Sequence, residues 1–345
     1  MQLLDFSDEK NSSGSVSDDS SKTVEIVIYV SLSISIVCNF VIIIAFLLFS
    51  NLRKFPFLLI YYMSLTCFID DVIYLIGECI VISGINQTLC VIHGFFVGFF
   101  GLLSMSYGCA IAYAIVLKTT SLSSNISIDD KEKYIHIVCI SITLFFSIIP
   151  FFNENYDVDG NTCWIIDKDP TISFIMQIVS YYLAIWIETT LVLYWFIRLV
   201  IFYRLHILTE ENNAIMGDQY KTAQQLLAYP IIMIILILIK TIYRIDIYFI
   251  NQEEIDFRFA SFVYFVGNSQ GTFDFLVFGF TGIIKNRIKE KIKSCFQSHQ
   301  NTMIEDEHLV IERNNKEVLQ SQDHDDSWEN IDRNKIEEEI KNSLN

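Results

Sequence analysis

Charge is what this chain of 345 residues has little of. Lys, Arg, Asp and Glu make up 19% of it, where soluble domains run nearer a quarter. That deficit, with 52% apolar residues and a mean hydropathy of +0.41, argues against a soluble globular domain. The charges that exist collect in connections and at the ends, which is the membrane pattern. Much of the net charge of −16 lies in the two polar ends, and no large basic face is left for nucleic acid. No metal-ligand set, activated nucleophile or phosphate-binding loop occurs, so neither an enzyme nor a cofactor is implied.

What is present is seven long apolar runs: 23–49, 57–82, 90–117, 134–152, 171–202, 226–250 and 259–284. A helix needs roughly 20 mostly apolar residues to cross about 30 Å of hydrocarbon. The runs are too long and too uniformly apolar for the alternating strands of a β-barrel. The expectation is an all-α membrane protein, a seven-transmembrane helix bundle followed by a short cytoplasmic amphipathic helix. The fifth run exceeds the bilayer and should project beyond it. Residues 1–22 are polar, Ser-rich and acidic, and read as a disordered head rather than a signal peptide.

Orientation follows from Lys and Arg near the run ends. Arg53, Lys54, Lys118, Lys131, Lys133, Arg198, Arg204 and Lys221 fall on one side, joined by Lys285, Arg287, Lys289, Lys291 and Lys293. The other side holds only Lys10, Lys22, Lys168 and Arg258. The head is therefore expected outside and the tail in the cytoplasm, at the plasma membrane. The sequons at Asn11 and Asn86 fall on the outer side and are glycosylation candidates, and the one at Asn125 falls inside.

Of eight cysteines, Cys38, Cys67, Cys79, Cys109 and Cys139 lie within runs, where a thiol is a small apolar filler. Cys90, at the outer end of the third run, and Cys163, in the second outer loop, face an oxidising compartment. A disulfide that holds this loop as a lid is expected, against the alternative of two unpaired thiols. Ionisable residues inside the runs are Asp70, Asp71, Glu78, Glu188, Lys240, Arg244, Asp246 and Asp274. Such groups are costly in hydrocarbon and face the bundle interior. Lys240 and Arg244 are four apart and share a helix face, so an anion is needed beside them. It is either an internal carboxylate (Asp70, Glu188 or Asp274) or an anionic ligand. About fourteen outer carboxylates against four bases would repel the latter.

The last run reads Gly267-Asn268-Ser269-Gln270-Gly271 and continues to Phe278-Gly279-Phe280. With Cys163-Trp164, the turn Leu52-Arg53-Lys54-Phe55-Pro56-Phe57, Ile69-Asp70-Asp71 and Leu227-Ala228-Tyr229-Pro230, it resembles the seven-helix G-protein-coupled receptors. Within them it is similar to the cyclic-AMP-receptor-like group and its secretin-like relatives, over about residues 23–295. The Asp-Arg-Tyr and Asn-Pro-x-x-Tyr motifs of rhodopsin-like receptors are absent. The resemblance implies a receptor that passes an extracellular signal to a heterotrimeric G protein, with cyclic AMP as the ligand suggested by family alone. Ser269, Gln270 and Gly271 are then candidates for activation, as is Pro230, which either bends its helix or merely starts it.

A retinal protein would need a lysine in the last run, and none is there. A seven-helix transporter or channel using the intramembrane charges is the alternative, without the repeated halves or paired broken helices usual in transporters. After the bundle, Ile284, Ile288 and Ile292 recur every four residues among lysines and an arginine. Residues 285–295 read as a basic amphipathic helix drawn to anionic membrane lipids, with Cys295 a palmitoylation candidate. Residues 296–345 read as a disordered acidic tail, which either engages an arrestin-like protein once phosphorylated or simply solubilises.

Overall fold

Backbone N–H and C=O groups in hydrocarbon have no water to bond, so an apolar run that crosses a membrane closes its hydrogen bonds within itself as a helix. The computed structural model describes residues 16–82, 87–121, 129–152, 156–159, 162–166, 169–207, 214–246 and 257–280. All lie in one compact unit, Met1–Thr281. Asn11, Asn86, the amphipathic segment with Cys295 and the tail lie outside the described residues.

The chain runs through α1 (Val16–Leu48), a short 3₁₀ turn (Ser50–Leu52), α2 (Phe57–Ile82), α3 (Gln87–Ser121) and α4 (Asp129–Phe152). A hairpin of β1 (Tyr156–Asp159) and β2 (Thr162–Ile165) follows. Then come α5 (Pro170–Gln177), a π-helical turn (Ile178–Tyr182), α6 (Leu183–Ile207), α7 (Ala214–Ile245), α8 (Phe257–Asn268) and α9 (Gln270–Phe280). Pro170 opens α5 where its missing N–H costs nothing, and the Asp169 carboxylate caps it by accepting from the Thr171 N–H at 2.8 Å.

Five stretches are long and apolar enough to cross a membrane: Lys22–Leu48, Phe57–Gly77, Thr88–Thr119, Lys131–Phe152 and Thr171–Phe202. The last joins α5, the π turn and α6 into one rod. The expected sixth crossing contains a shorter apolar stretch, Ala228–Tyr243, within α7. The expected seventh is divided at Ser269 into helices of 12 and 11 residues. Pro230 lies inside α7 rather than at its start, so the helix-start reading is corrected.

The polarity of the bundle runs opposite to that of a water-soluble one. Ser31, Ser35, Asn39, Ser64, Ser104, Ser106, Thr143 and Ser180 are buried, while Ile26, Val37, Val138, Phe145 and Ile197 are exposed. Small polar residues let helices approach closely and bond across, and an apolar exterior suits lipid. Helix α3 is the centre: residues 101–108 are all buried, and it packs against α2, α4, α6, α7 and both strands. Helix α1 packs against α2, α8 and α9, which closes the bundle.

The hairpin departs from the all-helical expectation. It pairs antiparallel, with Tyr156 opposite Ile165 and Val158 opposite Cys163. A disulfide joins Cys163 to Cys90 at the start of α3. Tyr156 fills the space beside Gly94, where an added Cβ would stand 2.6 Å from its ring. Its hydroxyl donates to the Ser147 carbonyl of α4 at 3.0 Å, and burial holds that phenol above its ordinary pKa, so it stays a donor. The Gln177 amide of α5 donates to the Ile165 carbonyl at 2.8 Å. The loop is thus tied to three helices, and β2 turns Trp164 inward.

Removing the bridge with Cys163→Ser should cost about 2–4 kcal/mol, since it frees a long loop in the unfolded chain. The check is the thermal unfolding of the purified full chain, and an unchanged midpoint would mean that the bridge does not hold the hairpin.

Candidate functional site

Asp70 and Asp71 are neighbours on α2, so they point about 100° apart and meet different helices. Asp71 turns toward α1. The Ser35 hydroxyl donates to its Oδ2 at 2.7 Å, and the Asn39 amide reaches the same oxygen at 3.4 Å. Ser35 and Asn39 are four apart and share one face of α1. The Ser35 oxygen also accepts the backbone N–H of Gly271 at 3.2 Å.

That last bond explains the break in the final helix. The first N–H groups of a helix have no partner within it. Gly271 is the second residue of α9, and its N–H is satisfied from α1 by Ser35. The close approach requires glycine, because the Asn39 amide and the Ser35 hydroxyl already occupy the place of a Cβ. The Ser269 hydroxyl, at the junction, donates back to the Phe265 carbonyl at 2.6 Å. The next residue, Gln270, donates through its amide to the Cys67 sulfur of α2 at 3.2 Å.

Asp70 turns the other way, into a cavity of about 70 Å³, room for a few waters. Its wall includes Asp71, Tyr74, Trp164, Tyr181, Lys240, Asn268 and Gln270. Lys240 reaches it from α7 with its stem over Gly267, where a Cβ would stand 2.6 Å from Cε. The ammonium lies within electrostatic reach of both Asp70 and Asp71. Trp164 enters from the hairpin and Tyr181 from the π turn, their rings edge to face at 5.1 Å. π turns commonly mark functional positions, and this one sets a side chain into the cavity.

Two carboxylates proposed to share this cavity lie elsewhere. Glu188 is buried where α6 faces α3 and α4 and accepts a hydrogen bond from Ser106, which pairs with Thr143 at 3.2 Å. It belongs to a separate polar cluster and does not line the cavity. Asp274 is 2% exposed on α9, behind Asp71 and near Tyr229, and is not in the cavity wall either. The helical backbone of Arg244 is described but its side chain is not. Ser35 and Asn39 are the network residues that sequence reasoning missed, whereas Asp71 was among the interior ionisable residues but without its partners. A Ser and an Asn four apart in an otherwise apolar run was the available signal.

No family model matches the chain. Cyclic AMP receptor-like protein A of Dictyostelium discoideum is 30% identical over 176 residues, which cover 51% of this chain and 43% of that protein. G-protein coupled receptor 1 of Arabidopsis thaliana is 26% identical over 132 residues, 38% of either chain. These relatives support a G-protein-coupled-receptor-like family. Both are named as receptors and neither as an enzyme. The chain spans less than half the length of the curated relatives it matches.

The shared hydroxyl of Ser35 has a measurable consequence. Ser35→Ala orphans the Gly271 N–H and strips Asp71 of its shorter hydrogen bond, which should cost about 1–3 kcal/mol. Gly271→Ala should be at least as harmful because the methyl displaces Ser35 and Asn39. Thermal unfolding of purified variants measures both. Wild-type stability in Gly271→Ala would show that α1 does not cap the break.

Proposed function

We propose that the chain is a seven-crossing receptor of the cyclic-AMP-receptor-like group that transmits an extracellular ligand signal to a heterotrimeric G protein. Helix α7 makes the sixth crossing and α8 with α9 the seventh. The Lys and Arg asymmetry supports a head outside, a tail in the cytoplasm and residence in the plasma membrane. The hairpin and its disulfide then cover the outer mouth.

The observation that carries this reading is the position of the cavity on the helix break. Asn268 and Gln270 line it, on either side of Ser269, and Gly271 is held through Ser35 to Asp71, also in its wall. A ligand that changes the balance of Asp70, Asp71 and Lys240 acts on the bonds that set the angle between α8 and α9. That is a differential contact between two arrangements, the requirement for signalling by population shift. Lys240 connects the cavity to α7, whose interior Pro230 removes a hydrogen bond and offers a bend point toward the other end. The Gα surface would meet the inner ends of α3, α6 and α7, residues 205–225 and the basic segment 285–295. Membrane lipids hold that segment, and an arrestin-like protein is a further candidate partner for the tail.

The test is nucleotide exchange on purified Gα subunits, with a screen for the activating ligand. Lys240→Ala should lower potency by about tenfold or more, as expected when the cation facing Asp70 and Asp71 is lost, and Arg244→Ala is measured beside it. A chain that accelerates exchange on no Gα sinks the reading, and unchanged potency in both variants removes the pocket assignment.

A further inference from the structure

The cavity has a definite chemical preference. Its described wall holds two carboxylates, Asp70 and Asp71, against one ammonium, Lys240, and Asp274 lies behind Asp71. Buried charge without compensation is costly, so this wall favours an added cation over an added anion. The two carboxylates are not equivalent. Asp71 is bound by Ser35 and Asn39, whereas Asp70 Oδ1 is buried with no hydrogen-bond partner.

Two unpartnered donors belong to the same wall as that acceptor. Trp164 is 5% exposed, lines the cavity, and its Nε1–H has no hydrogen-bond partner. The Asn268 amide nitrogen, in the same wall, also has none. What sets these three apart from other unmet buried groups is that they share one cavity wall, where a ligand can reach them. Tyr74, Trp164 and Tyr181 add aromatic surface, which attracts organic cations through their ring quadrupoles. Among the described residues no group of His, Cys, Asp or Glu is placed to hold a metal ion, so an organic cation fits better than a metal.

We propose that this cavity binds a small organic ammonium compound that also carries an oxygen acceptor, such as an amino alcohol. Its nitrogen meets Asp70 against the rings, and its oxygen accepts from Trp164 and Asn268. This rests on the receptor reading in one respect, that the hairpin end faces outside. There the acidic surface that repels anions concentrates cations at the mouth. The cavity of about 70 Å³ limits the bound part to a head group of a few heavy atoms.

The experiment uses the full chain in phosphatidylglycerol nanodiscs, which contribute no amine head group. Radiolabelled ethanolamine is the probe, acetate a competing anion of similar size, and binding is read by equilibrium dialysis without G protein. The expected result is saturable ethanolamine binding that acetate does not compete away. Asp70→Asn should weaken it about tenfold or more, Trp164→Phe several-fold, and Glu188→Gln, outside the cavity, should leave it unchanged. Should Asp70→Asn fail to fold, Trp164→Phe and Tyr181→Leu decide, since both must weaken binding. No saturable binding, displacement by acetate, or equal binding in the cavity variants overturns the proposal. Asp70-dependent binding without exchange on any Gα removes the receptor reading and keeps the site. Exchange driven by an anion with no ethanolamine binding does the reverse.

Discussion

One serine hydroxyl carries two helices at once. Ser35 gives its proton to Asp71 and takes the N–H of Gly271, so α1 stands between a carboxylate on α2 and the open start of α9. In water a broken helix can bond its loose amides to solvent. In hydrocarbon it cannot, and the break survives only where a neighbour supplies the acceptor. The position of the break in the last helix, the glycine beside it and the burial of Asp71 all depend on that arrangement. Moving any one of the three leaves a polar group unpaired, and such a group costs more than its hydrogen bond was worth.

Among the described residues, two of the polar clusters meet at α3 but differ in their chemistry. One joins α1, α2, α7 and the α8–α9 break around Asp70, Asp71 and Lys240. The other joins α3, α4 and α6 around Glu188, Ser106 and Thr143, and no cation faces it among the described contacts. The first opens to a cavity under the hairpin, which the second does not line. Each carboxylate, Asp70 and Glu188, keeps one buried oxygen without a hydrogen-bond partner, but only Asp70 stands in the cavity wall where a ligand can reach it.

Much of the fold was legible because one rule dominates it. Hydropathy marks where a chain must be helical in lipid, so α2 runs over the expected 57–82 and the fifth crossing over the expected 171–202. The bridge partners were legible from compartment and position. The hairpin was not, because its four-residue strands owe their shape to the disulfide and to Tyr156 over Gly94, contacts far apart in sequence. Helix phase explains the site errors. Glu188 and Asp274 were offered as partners of Lys240 because they are carboxylates inside the apolar runs, but rotation about the helix axis decides which neighbours a side chain meets. At 3.6 residues per turn a small error in rotation moves a carboxylate from one interface to the next.

The same geometry explains why the cavity and the helix break lie together. A partly buried lysine facing two aspartates is not an economical way to stabilise a bundle, since well-packed apolar residues often do as well. Lys240 acts electrostatically on both Asp70 and Asp71, and Asp71 is joined through Ser35 to Gly271. A straight final helix would be indifferent to that link, because its amides would be bonded within itself. Breaking it at Ser269 exposes the Gly271 N–H to the charge balance of the cavity. In the proposed receptor, the break is the element through which an occupant of the cavity would act on the direction of the last helix.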